Sequence, residues 1–424
     1  KFYFYIKNGE LVLEKGILKL SKTNIPIDRI QTVNFQQNIL HQLFNVVQLE
    51  IDTAGSAGTE ISINALSRKK AEALRRYVEQ NKPTPASVEQ PTHKKTPDTF
   101  QVLVLALRPA DLLKIGVSQN HLRTAGILMA FFYSFLDDIE QALHLDFFKR
   151  IDKWVETTGE GWMLYLLAGI PVFIFISFLI TLARTTLEFY NFRLWRTPRG
   201  FKTERGLFTK TEQFAHLKKI QILRWQVNPV MRLFKMCSVR FYQAASVVVR
   251  RRNALFVPGC YQNQLRQIRQ IYWPESTILP FESHRVSKLI CRRQILYFGV
   301  LPAIVLVAIR FAAHGFSALG WLFWIPIVYY LSLQYHKNLR YQLSDDGLIT
   351  VSGLFTHQYS ALQWYKIQTV EIRQSIYQRR KGVSTLVLYT AAGSVKIPYI
   401  ELEKAHAIRD FALFKIEIDR RQWM

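Results

Sequence analysis

The chain has 424 residues, 49% of them hydrophobic, with 56 Lys and Arg against 31 Asp and Glu, a formal charge of +25. That hydrophobic share excludes a disordered polyelectrolyte, and the length allows several small domains. Three cysteines (Cys237, Cys260 and Cys291), far apart in sequence and without CxxC or His spacing, indicate neither a disulfide framework nor a zinc site.

From the first residue the chain reads as short strands. Val47, Leu49 and Ile51 alternate with Gln48, Glu50 and Asp52, as a strand with one buried face requires. Thr53-Ala54-Gly55 reads as a hairpin turn leading to Ile61 and Ile63. Ala65, Ala71, Leu74 and Val78 then recur at helical spacing, which predicts a closing helix. Residues 1–80 form the first unit. Pro83, Pro85, Pro91 and Pro97 mark an extended linker, and Asp111 to Val117 a short interfacial helix, so 81–120 are assigned to a linker and interfacial segment.

Residues 121–184 read as a transmembrane hairpin. Trp162 to Ala183 holds no charged residue and is long enough to cross a hydrocarbon core of about 30 Å; Ala125 to Leu136 is shorter and the weaker of the two spans. A strongly basic second unit covers 188–275. A second hairpin at 294–334 combines Ile295 to Ile309 with Ala318 to Leu333 around a turn at Arg310 to Ser317, and a third unit covers 338–420. That unit repeats the hairpin as Thr390-Ala391-Ala392-Gly393 and the helical spacing as Leu402, Ala405, Ile408 and Phe411.

The three units are copies. Gly16 precedes Gln31, Gly206 precedes Gln221 and Gly353 precedes Gln368, each by fifteen residues, with Ile before each Gln. Asn38, Asn228 and Ser375 follow in register, then Leu43-Phe44 and Leu233-Phe234, where the third copy has Arg380-Lys381. The first copy begins at Lys1, which leads us to expect a hairpin ahead of it in the parent protein. Membrane hairpins between the copies imply that each buries its own core.

Residues 184–294 hold 22 basic against 5 acidic residues, whereas 137–160, between the first two spans, hold 3 against 7. The positive-inside rule then places that loop outside and the repeat units in the cytoplasm. Arg250, Arg251 and Arg252, with Arg196, Arg199, Lys202, Lys218 and Lys219, could form an anion- or lipid-binding face, weighed against a solvated charge cluster. Gly16, Gln31, Gly206, Gln221, Gly353 and Gln368 read as architecture. No hydrolase, phosphate-loop or zinc-protease signature occurs, so no catalytic or metal residue and no cofactor is assigned, and the reading is not an enzyme.

The phrases Ile30-Gln31-Thr32-Val33, Lys219-Ile220-Gln221 and Lys366-Ile367-Gln368-Thr369-Val370, each after a Gly turn, resemble the bacterial pleckstrin-homology-like membrane proteins of the YdbS/YdbT type. The resemblance implies a multidomain, multi-pass protein of a bacterial inner or plasma membrane. Three small PH-like antiparallel β-barrel or sheet domains, each closed by a C-terminal helix, would alternate with transmembrane α-helical hairpins. It also implies a shorter companion membrane protein with one such domain and, in some members, a role in defence against membrane-active peptides. The expected function is non-catalytic binding of anionic lipid headgroups or that companion, without nucleic acid. The alternative is a transport or export component for lipids or small molecules whose hairpins form the pathway.

Overall fold

The computed structural model describes residues 2–16, 21–53, 59–80, 101–143, 157, 161–244, 254–273, 283–419 and 421. They divide into two compact units. The smaller holds Leu107–Phe192 and Arg205–Phe208; the larger holds Lys1–Ala106, Arg193–Glu204 and Thr209–Met424.

The larger unit is built from strands β1 (Phe2–Lys7), β2 (Glu10–Lys15), β3 (Ser21–Pro26) and β4 (Ile30–Gln37), helix α1 (Ile39–Leu43), strands β5 (Val46–Thr53) and β6 (Thr59–Ser67), and helix α2 (Arg68–Gln80). The smaller unit holds helices α3 (Pro109–Val117), α4 (His121–Leu143) and α5 (Gly161–Glu188). Here α3 packs on α5 so closely that a Cβ on Gly116 would stand 2.4 Å from Leu182 Cδ1. Ser177 Oγ donates to the His121 carbonyl at 3.1 Å, tying α5 to the start of α4.

The larger unit continues with β7 (Val102–Ala106), β8 (Arg193–Thr197), β9 (Gly200–Arg205), β10 (Lys210–His216), β11 (Ile220–Val227), α6 (Pro229–Leu233), β12 (Met236–Gln243), β13 (Leu255–Tyr261) and α7 (Gln262–Tyr272). After β14 (Ser283–Arg285), a helical run passes through α8 (Leu289–Gln294), a π-turn at Ile295–Val300 and α9 (Leu301–His314). It breaks at Gly315, whose φ is +55°, and resumes through a 3-10 stretch, Gly315–Phe323, into α10 (Trp324–Asn338). The third copy follows: β15 (Arg340–Leu343), β16 (Gly347–Ser352), β17 (His357–Gln363), β18 (Ile367–Arg373), α11 (Ile376–Arg380), β19 (Val383–Thr390), β20 (Gly393–Glu401) and α12 (Leu402–Ile418).

The strands form sheets ordered β1-β2-β3, β6-β5-β4-β10-β9-β8-β7, β13-β12-β11-β17-β16-β15-β14 and β18-β19-β20. The back half of each of the first two copies therefore pairs, edge to edge, with the front half of the next. The first core nevertheless comes from one copy alone, from Leu11 on β2 through Ile30, Leu49, Ile51 and Ile63 to Ala71, Leu74 and Val78 on α2. The expectation of independent units thus holds for that core, and fails for the sheets.

Local chemistry explains the repeated residues. Gly16, Gly206 and Gly353 have φ of 135°, 103° and 112°, a region that favours glycine, and a Cβ on Gly353 would fall 1.8 Å from the Thr356 carbonyl oxygen. Asn38, Asn228 and Ser375 cap the short helices that follow: their side-chain oxygens accept from His41 N at 2.8 Å, Met231 N at 2.6 Å and Gln378 N at 3.2 Å. Gln37 and Gln374, at one repeat position, donate to backbone carbonyls of Val46 at 3.0 Å and Val383 at 2.9 Å.

Four local expectations need correcting. Residues 102–106, expected as linker, form strand β7 on the edge of β8. Ala65 lies in β6 with φ of +57° and not in the closing helix. In α12 the buried seam is Ala405, Ile408 and Ala412, while Phe411, 37% exposed, lies at its margin edge-on to Trp364, ring centroids 5.8 Å apart. The helical run after α9 begins as a 3-10 stretch at Gly315, within the expected Arg310–Ser317 turn. Cys237 and Cys260 are free but face each other across β12 and β13, Sγ to Sγ 3.3 Å. The turn at residues 54–58 and the whole of the 81–100 linker lie outside the described residues.

Candidate functional site

The residues expected to bind anions occupy two kinds of place. In each copy a 3-10 turn precedes the repeated Ile-Gln and hangs on the tip of the first hairpin. Ile27 N donates to Gly9 O at 3.0 Å, Leu217 N to Arg199 O at 2.9 Å and Trp364 N to Asp346 O at 3.0 Å. In the middle copy this brings Arg199 and Lys218 to one corner, both exposed, with Arg196 exposed on β8 and Lys219 half-buried. The third copy has Asp345 and Asp346 at that tip, facing Lys415 at 3.8 Å and Arg421 at 4.0 Å.

Lys202 is committed elsewhere. Its Nζ lies 2.8 Å from Glu204 and 2.9 Å from Glu212, and Glu212 also pairs with Arg75 of the first copy. Burial alone would raise the Glu212 carboxyl, but Lys202 and Arg75 outweigh it and hold it below the usual carboxylate range. Arg250, Arg251 and Arg252 lie outside the described residues.

The corner stands at the end of the sheet remote from α10. Asn338, the last residue of α10, donates from Nδ2 to the carbonyls of Gly353 at 3.1 Å and Leu354 at 3.0 Å. From there β17 runs seven residues, roughly 20 Å at a strand's rise, to the 3-10 turn at Trp364. Its partner β11 runs the other way, with Val227 opposite His357, so α6 emerges beside the end of α10.

This end of the sheet holds a second set of residues. Leu233 is 78% exposed, with Arg232 and Lys235 exposed on either side and Phe355 exposed on the β16–β17 turn. The His357 imidazole is pushed below its ordinary value by burial and by the charges of Arg232 and Arg340. Exposed Lys337 lies in the last turn of α10, and exposed Arg340 opens β15 two residues beyond its end. Apolar tips amid basic side chains can enter a headgroup layer while the cations meet phosphate. Sequence reading registered Leu233-Phe234 as a repeat and missed its charge context, although Arg232 and Lys235 bracket it.

A third feature was not foreseen. Lys366, 1% exposed, donates from Nζ to the Ile220 carbonyl and lies 4.8 Å from the Tyr272 ring centroid. Tyr272 Oη in turn donates to the Gln221 carbonyl at 3.0 Å, and Gln363 Nε2 to the Tyr272 carbonyl at 3.3 Å. Burial, with a smaller push from Arg421, lowers the Lys366 ammonium to about 7. Arg29 and Lys219 hold the same repeat position; Arg29 is exposed and Lys219 half-buried. Lys366 is closed to solvent, so it acts as a joint between copies two and three.

Among the described residues two helical stretches are long and apolar enough to cross a membrane, Ile170–Glu188 and Leu289–Phe311. No solved structure matches the chain. It is 21% identical over 411 residues to the UPF0699 transmembrane protein YdbT of Bacillus subtilis (strain 168), covering 93% of this chain and 80% of that protein. The family model described as bacterial PH domain matches three times, over residues 1–82, 153–271 and 293–413. Three matches spanning most of the chain, in step with three Gly-turned and helix-capped copies, show that the chain belongs to the bacterial PH domain family.

Proposed function

We propose that the chain is a non-catalytic, multi-pass membrane protein whose three PH-like sheet units, each followed by a helix, alternate with membrane hairpins. It holds these units against the cytoplasmic face of a bacterial membrane, where the second unit grips anionic headgroups. The observation that carries this reading is the cluster at the end of α10, where Leu233 and Phe355 stand exposed among Arg232, Lys235, Lys337 and Arg340. A span ending in such a cluster meets the headgroup layer there. Each basic residue near an anionic surface contributes about 1 kcal/mol, and burying one leucine roughly 1.5–3 kcal/mol. The basic corner at Arg199 and Lys218, on the far side of the sheet, is left to face the cytoplasm.

The relative's printed description as a transmembrane protein supports the anchoring. So does the surplus of 17 positive charges over residues 184–294, which favours the cytoplasmic side.

The test uses the full chain in lipid nanodiscs. Hydrogen exchange over residues 229–235 and 337–340 should slow when phosphatidylglycerol replaces part of a phosphatidylcholine bilayer, and should not slow in the variant carrying Arg232→Ser, Leu233→Ser and Lys235→Ser. Equal exchange of the wild type in both lipids would refute the reading.

A further inference from the structure

The two internal junctions use one register. At the first, Thr211 stands opposite Gln36 and Glu212 opposite Phe35; at the second, Gln358 stands opposite Gln226 and Tyr359 opposite Trp225. Counted along the repeat these are the same pairs. The residue five after the repeated Gly faces the residue five after the repeated Gln, and the residue six after that Gly faces the one four after that Gln. Backbone ladders alone tolerate slippage, so two identical registers mean that the edges are shaped for each other.

Among the described residues the same two kinds of edge recur unpaired. Strand β3 occupies in the first copy the place of β10 and β17, and it ends the three-stranded sheet β1-β2-β3. Strand β18 occupies in the third copy the place of β4 and β11, and it ends the sheet β18-β19-β20. Ser21, Lys22 and Asn24 are exposed on β3, as are Gln368, Thr369 and Arg373 on β18. Strand β18, IQTVEIR, has no Pro or Lys on its edge; it carries Glu371, Arg373 and a bulge between Ile367 and Thr369, but β11 has a bulge at the same repeat position and still takes β17 on that edge.

We propose that the β18 edge of one copy of this chain takes the β3 edge of a second copy, antiparallel and in the register of the internal junctions. Ser21 then faces Arg373, Lys22 faces Ile372 and Thr23 faces Glu371. The occupant follows from continuity: the edge fitted to a β10-type strand is offered such a strand by every other copy. The interface is heterologous, because each copy presents one edge of each kind, so the copies join head to tail into an open row or a closed ring. Confinement of the copies to one bilayer raises their effective concentration.

Cross-linking in the full chain tests this, since Cys237, Cys260 and Cys291 are all buried. Chains carrying Ser21→Cys are mixed with chains carrying Arg373→Cys in neutral detergent, where no anionic lipid contributes, and mildly oxidised. A cross-linked dimer should form only in the mixture. Its yield should exceed about tenfold that of Lys22→Cys mixed with Arg373→Cys, because a shift of one residue sends the side chains to opposite faces. The wild type should also show dimers and longer species that grow with concentration. Self-linking of Arg373→Cys chains would establish a two-fold contact instead and overturn the proposal. Equal yields in the matched and shifted pairs, or a wild type that stays monomeric at every concentration, would overturn it as well.

Discussion

Strands β11 and β18 carry the same repeated Ile-Gln phrase and meet different surroundings. In β11, paired on both sides, Gln221 is 0% exposed and Ile222, Leu223 and Trp225 are buried with it. In β18, paired among the described residues only with β19, Gln368 and Thr369 are exposed. A closing-helix arginine marks the contrast: Arg75 lies 5.4 Å over the Phe35 ring and Arg269 5.1 Å over Trp225, each covering a junction strand. Arg409, at the same repeat position, pairs with its neighbour Asp410 at 2.8 Å. Burial of the repeat phrase is thus set by whether a neighbouring copy closes the edge.

The sharpest way to break the comparison is to place one charge in both strands. Gln221→Lys puts an ammonium where water cannot reach and should cost about 3–5 kcal/mol of stability, whereas Gln368→Lys should change it by less than about 0.5 kcal/mol. Thermal unfolding of the two variants in detergent measures the difference, and equal losses would show that the phrase has the same surroundings in both.

The next effect concerns Lys366, whose Nζ holds the closed junction. Its folded value of about 7 lies below the 10.5 of an ordinary lysine. Between those values the unfolded chain binds more protons, so stability should rise with pH from about 7 towards 10.5 and be flat below 7. The limiting slope is about 1.4 kcal/mol per pH unit. Lys366→Met should remove this slope, which thermal midpoints at pH 7, 8 and 9 would reveal; parallel curves for variant and wild type would count against the assignment.

The smallest effect compares ion pairs. Glu212→Gln weakens a half-buried network shared by Arg75 and Lys202 and should cost about 2 kcal/mol. Glu401→Gln removes an exposed pair with Lys404 and should leave the midpoint nearly unchanged. Chemical denaturation midpoints of the two variants would rank them, and the opposite ranking would mean that the first junction is not held by its charges.

Much of this architecture was legible in the residues, because it depends on local chemistry. A glycine at a turn and a period-two strand each declare themselves within a few positions. The candidate surface was less legible. Arg232, Lys337, Arg340 and His357 gather only when β11 lies antiparallel to β17, and Lys366 looks like any basic turn residue until Tyr272 and β11 enclose it. Lys202, counted among the free positive charges, proved to be held by Glu204 and Glu212.

By itself the sequence determined the three copies, their strand faces and glycine turns, and the apolar stretches between them. Side-chain periodicity and backbone sterics act over short distances, so a linear pattern records them. Only the tertiary structure decided that the copies are joined through their edges, in one register, with a lysine closed inside one joint and two matching edges left open. Backbone N–H and C=O groups are alike in every residue but proline, so the choice of edge partner rests on contacts between segments as far apart as β4 and β10.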